Sequence, residues 1–127
     1  MSAFSPRQLF LLDSACQPIG EAFGGHLPYL VGSSQTGRDG YRDVDVRQIL
    51  KDENYDALNT LMGADFITFL GLAIGEYLAS RTGLPIDFQL QRMTEANDRH
   101  DGPRNPLGGR NLRQFAGDAR PEPKDAK

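Results

Sequence analysis

Apolar and polar side chains alternate along the segment 84–91. Leu84, Ile86, Phe88 and Leu90 fall on one face of an extended chain, and Asp87, Gln89 and Gln91 fall on the other. Such a pattern predicts a β-strand with one face packed against a core and the other face open. The chain must therefore form a sheet, and other elements must cover one face of it.

The covering elements are predicted to be helices. Ser5 followed by Pro6 is a typical helix start, and Pro18 is expected to kink or divide the helix that follows. The clearest helical period in the chain, with spacings of three and four, is carried by Phe66, Phe69, Leu70, Ala73, Ile74, Tyr77, Leu78 and Arg81. We expect this stripe to belong to the core and to pack on the apolar face of the sheet.

Two more strands are predicted before that helix. The short apolar run 27–31 lies between glycines, and a second strand is expected over 42–50, after a loop over 33–41. A short helix carrying Tyr55, Leu58 and Leu61 follows. This order of helices and strands along the chain predicts an α/β (α+β) fold. In it, a small mixed sheet carries the acidic residues and has its helices on one face.

The sequence divides near residue 97. Residues 1–97 carry these elements and are predicted to form one domain, whereas 98–127 are polar, rich in Gly, Pro and Arg, and expected to be disordered at their end. Cys16 is the single cysteine, which excludes an intramolecular disulfide and fits a reducing compartment. No basic, apolar leader and no run long enough to span a membrane is visible, so we expect a cytoplasmic protein.

A pair of acids marks the candidate site. Asp43 and Asp45 are separated by Val44, so both carboxylates point to the same face of the predicted strand. Two such carboxylates suit Mg²⁺ or Mn²⁺, because Mg²⁺ binds through one or two carboxylates together with substrate phosphates. Asp87 is the candidate third acid, although an ordinary solvated strand acid remains an alternative for it. No lysine or histidine lies near these acids, so we expect them to repel one another without metal.

The residues before the acid pair suit a phosphate. Gly32 allows the backbone to approach a phosphate closely, and the amides and hydroxyls of Ser33 and Ser34 are suitable donors. Arg38 would add positive charge from the loop. These four residues are the predicted nucleotide-binding set.

Val31-Gly32-Ser33, a spacer of nine residues, and then Asp43-Val44-Asp45-Val46 resemble the signature of the DNA polymerase β-like nucleotidyltransferase superfamily. The resemblance implies Mg²⁺-dependent transfer of a nucleoside monophosphate from a nucleoside triphosphate to a hydroxyl. It further implies that Asp43, Asp45 and Asp87 are the metal-binding and catalytic acids. Its specific motif covers only 31–46, and Asp87 is placed by position and pattern.

Two departures from the family pattern keep a second function open. Arg42 stands where small members often have serine, and the region after Met93 is too polar to build the helical domain that many members append. The alternative is a catalytically inactive binding or regulatory module, antitoxin-like or a phage accessory protein. The acceptor would be a protein or an RNA, and a protein partner or a second copy would complete the acceptor site. A net charge of −3 argues against non-specific nucleic-acid binding.

Overall fold

The computed structural model describes residues 5–32, 43–99, 102 and 104–109. These residues form a mixed α+β fold, as predicted. The elements run in the order α1 (Pro6–Ala22), β1 (Tyr29–Val31), β2 (Val44–Leu50), α2 (Asp52–Met62), α3 (Ala64–Thr82), β3 (Ile86–Arg92), α4 (Met93–Arg99) and β4 (Asn105–Pro106).

The sheet has the order β3-β2-β1-β4. β1 pairs antiparallel with β2 and with β4, whereas β2 and β3 are parallel and are connected through α2 and α3. The parallel register sets Val44 opposite Ile86 and Val46 opposite Phe88. Apolar residues of both strands therefore share one face, and acidic residues share the other.

The apolar face is the core face, as the alternation predicted. Side chains from α1 and α3 cover it, including Leu12, Cys16 and Leu78. Val44 and Val46 of β2 and Phe88 and Leu90 of β3 are buried on this face, whereas Ile86 is only partly buried. The helices thus leave the acidic residues on the opposite face.

Helix α3 meets the core through part of the predicted stripe together with glycines: Leu78 is buried, and Leu70, Ile74 and Tyr77 are partly buried against the core. Its buried residues are Ile67, Gly71, Gly75, Leu78 and Thr82. A Cβ at Gly71 would lie 3.1 Å from the carbonyl oxygen of Phe88, so the glycine lets the helix approach β3 closely. Phe69, expected in the core, is instead 67 % exposed, and Leu72 is 64 % exposed. The expectation was wrong for Phe69 because small residues, not the largest ones, form the contact.

Helix α1 continues through Pro18, so of the two effects expected from this proline, a kink or a division, the division does not occur. Its first turn is closed by a capping box, in which the Ser5 hydroxyl accepts from the amide of Gln8 and the Gln8 side chain accepts from the amide of Ser5. Pro18 is exposed. The proline ring therefore faces away from the core.

The sheet extends past the domain boundary placed at residue 97. Asn105–Pro106 form the edge strand β4, and the amide of Leu107 donates to the carbonyl oxygen of Pro28 over 2.8 Å. The amide of Gly108 donates to Oδ1 of the buried Asp13 over 2.9 Å. Residues after β3 thus help to hold α1 and β1 together. The predicted disordered end, within 110–127, lies outside the described residues.

No single described helix is long and apolar enough to cross a membrane. Helices α2 and α3 reach that length and apolar content only when taken together, and they are bent by 107° relative to each other.

Candidate functional site

The sheet brings two of the three predicted acids side by side. Asp45 on β2 and Asp87 on β3 are direct partners in the parallel register, so both carboxylates lie on the face opposite the core. Their side chains are 30 % and 38 % exposed, respectively. Asp43, the third acid, lies directly before β2 and is exposed. The shared face predicted for these residues is therefore present for Asp45 and Asp87.

Gly32 lies against Asp45. It follows β1 with φ +83°, and a Cβ at its position would fall 2.5 Å from Oδ2 of Asp45. Only glycine combines that backbone conformation with so close an approach to a carboxylate. The other predicted nucleotide-binding residues, Ser33, Ser34 and Arg38, lie outside the described residues, as does Arg42.

Arg47 lies between the two acids. Its Nη2 atom is 3.3 Å from Oδ2 of Asp87 and 3.7 Å from Oδ1 of Asp45. Its Nη1 atom donates to two backbone carbonyl oxygens, of Asp87 over 2.6 Å and of Val46 over 3.1 Å. The Arg47 side chain is 9 % exposed, and its Nε atom is buried without a hydrogen-bond partner among the described residues.

Sequence reasoning missed Arg47, whose guanidinium lies within salt-bridge distance of Asp45 and Asp87. The repulsion expected among the carboxylates was inferred only from the absence of lysine and histidine near them in the sequence. Residues 43, 45 and 47 follow the same period of two, so the sequence does indicate that Arg47 shares the face of Asp43 and Asp45. What the sequence does not indicate is that this guanidinium reaches across to β3.

The Asp87 carboxylate is engaged on both oxygens. Oδ2 faces Arg47, and Oδ1 accepts a hydrogen bond from Nε2 of Gln89 over 3.3 Å. Gln89 follows Asp87 by two residues on the same strand face. The position of Asp87 is therefore set by a cation and an amide of this chain.

A cavity of about 270 Å³ borders Asp43 and Asp87, between α3 and the start of β3. Asp43, Asp87 and Glu76 of α3 all line it, together with Gly71 and Gly75. Glu76 is an acid that sequence reasoning did not select, because it lies on a helix that was expected only to fill the core. The small glycine side of α3 leaves room beside the carboxylates.

The donor set fits a Mg²⁺ ion held by few protein ligands. Among the described residues, no three His, Cys, Asp or Glu side chains gather closely enough to hold a metal ion by themselves. Asp45 on β2 and Asp43 directly before that strand supply two carboxylates, which suits only a cation that takes its remaining ligands from substrate and water. A closed site made only of protein ligands does not match this arrangement.

Comparison of the chain with family models, with curated proteins and with solved structures finds no match.

Proposed function

We propose that this protein is a Mg²⁺-dependent nucleotidyltransferase that moves a nucleoside monophosphate from a nucleoside triphosphate to a hydroxyl acceptor. The observation that carries the proposal is the pairing of Asp45 with Asp87 across parallel strands while Gly32 lies against the Asp45 carboxylate. A nucleoside triphosphate with its cation needs carboxylates that bind the cation and a backbone that a phosphate can approach. The acids on the open sheet face would meet the first need, and Gly32 would meet the second. The sequence resemblance supports the same reaction.

Each residue of the site has a separate role in the proposed reaction. Asp43 and Asp45 would hold the cation, and Gly32 would let a phosphate approach the backbone. Magnesium, when bound, would neutralise phosphate charge as the α-phosphorus is attacked. Asp87 would receive the proton of the acceptor hydroxyl while the acceptor oxygen bonds to the α-phosphorus and the bond to the bridging oxygen breaks. Pyrophosphate leaves with the electron pair of that bond.

A second function is favoured by Arg47. The Asp87 carboxylate faces the buried Arg47 guanidinium and accepts a hydrogen bond from Gln89, so both of its oxygens already have partners within this chain. The alternative is therefore a module that binds the triphosphate and Mg²⁺ without turnover. Its partner, a protein, would respond to the bound nucleotide.

Thermal unfolding with Mg²⁺ and ATP or GTP tests both functions. A ligand at a hundredfold excess over its dissociation constant stabilises the folded state by about 2.7 kcal/mol. We expect a shift in the wild type and in the control Asp65→Asn, whose acid is exposed on α3, and no shift in Asp45→Asn.

Transfer of label from an α-labelled triphosphate then separates the two functions. Incorporation into an acceptor protein or RNA identifies the enzyme, whereas a shift without incorporation identifies the binding module. If Mg²⁺ with either triphosphate gives no shift, or if Asp45→Asn shifts like the wild type, the site does not bind a nucleotide and both functions are wrong.

A further inference from the structure

We propose that the outer edge of β3 is a docking site for an extended segment of a partner protein, in which apolar side chains alternate with basic ones. The segment would add to the sheet as a further strand beside β3. This inference does not depend on the proposed function, because it concerns a surface that binds a peptide and not a nucleotide.

Strand β3 lies at one edge of the sheet that the described residues form. Its seven residues pair with β2 in one continuous register, and they include no proline that would interrupt a further pairing. A regular edge strand presents unpaired amides and carbonyls to one side, where another extended chain can bind them. The outer side of β3 therefore has the form that strand addition requires.

The register determines which backbone groups of β3 face outward. The amide of Val44 donates to the carbonyl oxygen of Pro85, so the odd-numbered residues that follow in β3 bond to β2. The amides and carbonyls of Phe88 and Leu90 therefore point away from β2, and within the described part of the chain no hydrogen bond to them is found. Both residues are buried, and buried backbone groups are almost always paired. An added strand would supply the partners.

A cavity of about 360 Å³ lies beside this edge. Phe88 and Leu90 line it from β3, Leu72 lines it from α3, and Tyr55 lines it from α2. Leu72 is well exposed. Successive side chains of a strand point to opposite faces, so every second side chain of the added strand would face these helices. Apolar side chains at those positions would cover Leu72 and Tyr55.

The remaining side chains of the added strand would face acids. Asp87 and Gln89 line the same cavity, and the adjoining cavity of about 270 Å³ is lined by Asp43 and Glu76. Arg47 pairs with Asp87, whereas among the described residues no cation forms an ion pair with Asp43 or Glu76. Basic side chains complement this surplus of negative charge. A second copy of the chain fits it less well, because its own β3 carries one acid and one base.

Hydrogen exchange followed by NMR tests the outer edge directly. In the isolated protein, we expect the outward amides of Phe88 and Leu90 to exchange at least about tenfold faster than the amide of Gln89, which bonds to β2. Equal protection of the three amides would mean that the edge is already paired, and it would overturn the proposal.

The probe for binding is a capped, fluorescently labelled peptide of seven residues, the length of β3, in which valine alternates with lysine. Fluorescence anisotropy should show a dissociation constant below about 1 mM. The outward amides of Phe88 and Leu90 should become protected in the complex. The same peptide with alternate amides N-methylated keeps its side chains and charge but loses backbone donors, so it should bind at least about tenfold more weakly. A valine–glutamate peptide should not bind.

Leu72→Lys and Phe69→Lys form a matched pair of variants. Both residues are exposed on α3, so both proteins should fold, and both changes add the same charge. Leu72 lines the cavity, whereas Phe69 is not among its lining residues. Leu72→Lys should weaken binding of the valine–lysine peptide by about tenfold or more, and Phe69→Lys by less than about twofold.

Each contrary result has a separate meaning. No binding of the valine–lysine peptide at about 1 mM, or equal effects of the two lysine variants, would overturn the docking site. Equal affinity for the N-methylated peptide would mean that charge attraction alone holds the peptide, and it would overturn strand addition. A dimer in analytical ultracentrifugation that Leu72→Lys dissociates would make a second copy the occupant and the basic partner wrong. None of these outcomes decides whether the protein binds a nucleotide.

Discussion

The space between Gly32 and Asp45 holds either the carboxylate oxygen of Asp45 or a Cβ atom at residue 32, but not both. A methyl group on Gly32 would come within 2.5 Å of Oδ2 of Asp45, yet β1 and β2 place both residues there through backbone pairing. The carboxylate, as the end of a flexible side chain, is the part that can move. The identity of residue 32 therefore controls where the Asp45 carboxylate lies.

Gly32→Ala should displace that carboxylate and abolish stabilisation by Mg²⁺ with ATP. Alanine at φ +83° also costs about 1–2 kcal/mol of folding free energy. Gly25→Ala is the matched control, because Gly25 has φ +91° with nothing within 4 Å of the added Cβ. Both variants should melt lower than wild type, and only Gly25→Ala should keep the ligand-induced shift in thermal unfolding. A retained shift in Gly32→Ala would show that the contact with Asp45 is irrelevant to binding.

Phe69→Ser should change the free energy of unfolding by less than about 0.5 kcal/mol, since Phe69 is 67 % exposed. Leu78→Ala, on the buried side of the same helix, should cost about 2–5 kcal/mol. Urea denaturation of both variants measures the difference. Equal losses would mean that Phe69 is packed in the core, as its position in the helical stripe predicted, and is not exposed.

Cys16 makes the fold sensitive to alkaline pH. Burial, with a smaller contribution from Asp13, raises the pKa of its thiol from 9.0 to about 12. The unfolded chain loses this proton above its ordinary pKa while the folded chain keeps it, so stability is full below about pH 9 and falls between pH 9 and 12. Urea denaturation across this range should show a steeper decline for wild type than for Cys16→Ala. Parallel declines would contradict the burial of a neutral thiol.

Asp52 should make the stability of the fold depend on pH in the acid range, where stability falls as the pH is lowered. Its carboxylate accepts from the side chain and the amide of Thr94 and lies 3.5 Å from Arg92, and the bonds from Thr94 are the main cause that lowers its pKa. Its stabilising effect is present above the ordinary pKa and is lost as pH falls through the lowered value. Asp52→Asn should therefore be less stable than wild type at pH 7 and equal to it once the carboxylate is protonated. A constant difference at all pH values would exclude this linkage.

The sequence predicted those elements that carry a long periodic pattern. Strands β2 and β3 and helix α3 could be placed because alternation and helical spacing persist over many residues. β4 has two residues, and α4 buries only Ala96, so neither leaves a pattern to detect. For the site, alternation predicted the shared face of the acids. The reach of Arg47 to Asp87 depends on strand register, which no local pattern contains.

The hydrogen bond from Gly108 to Asp13 has a consequence for the order in which the molecule can be assembled. It joins residues 95 positions apart, and a chain is synthesised from its N-terminus. Helix α1 is made first, yet the amide that meets its buried carboxylate is among the last described residues to be made. A nascent chain that ends before residue 108 lacks this donor, so the contact between α1 and the segment after β4 forms only once that segment has been made. Contacts between residues far apart in sequence form slowly, because a long loop must be closed first. We therefore expect the edge of the sheet at β4 to be completed late in folding.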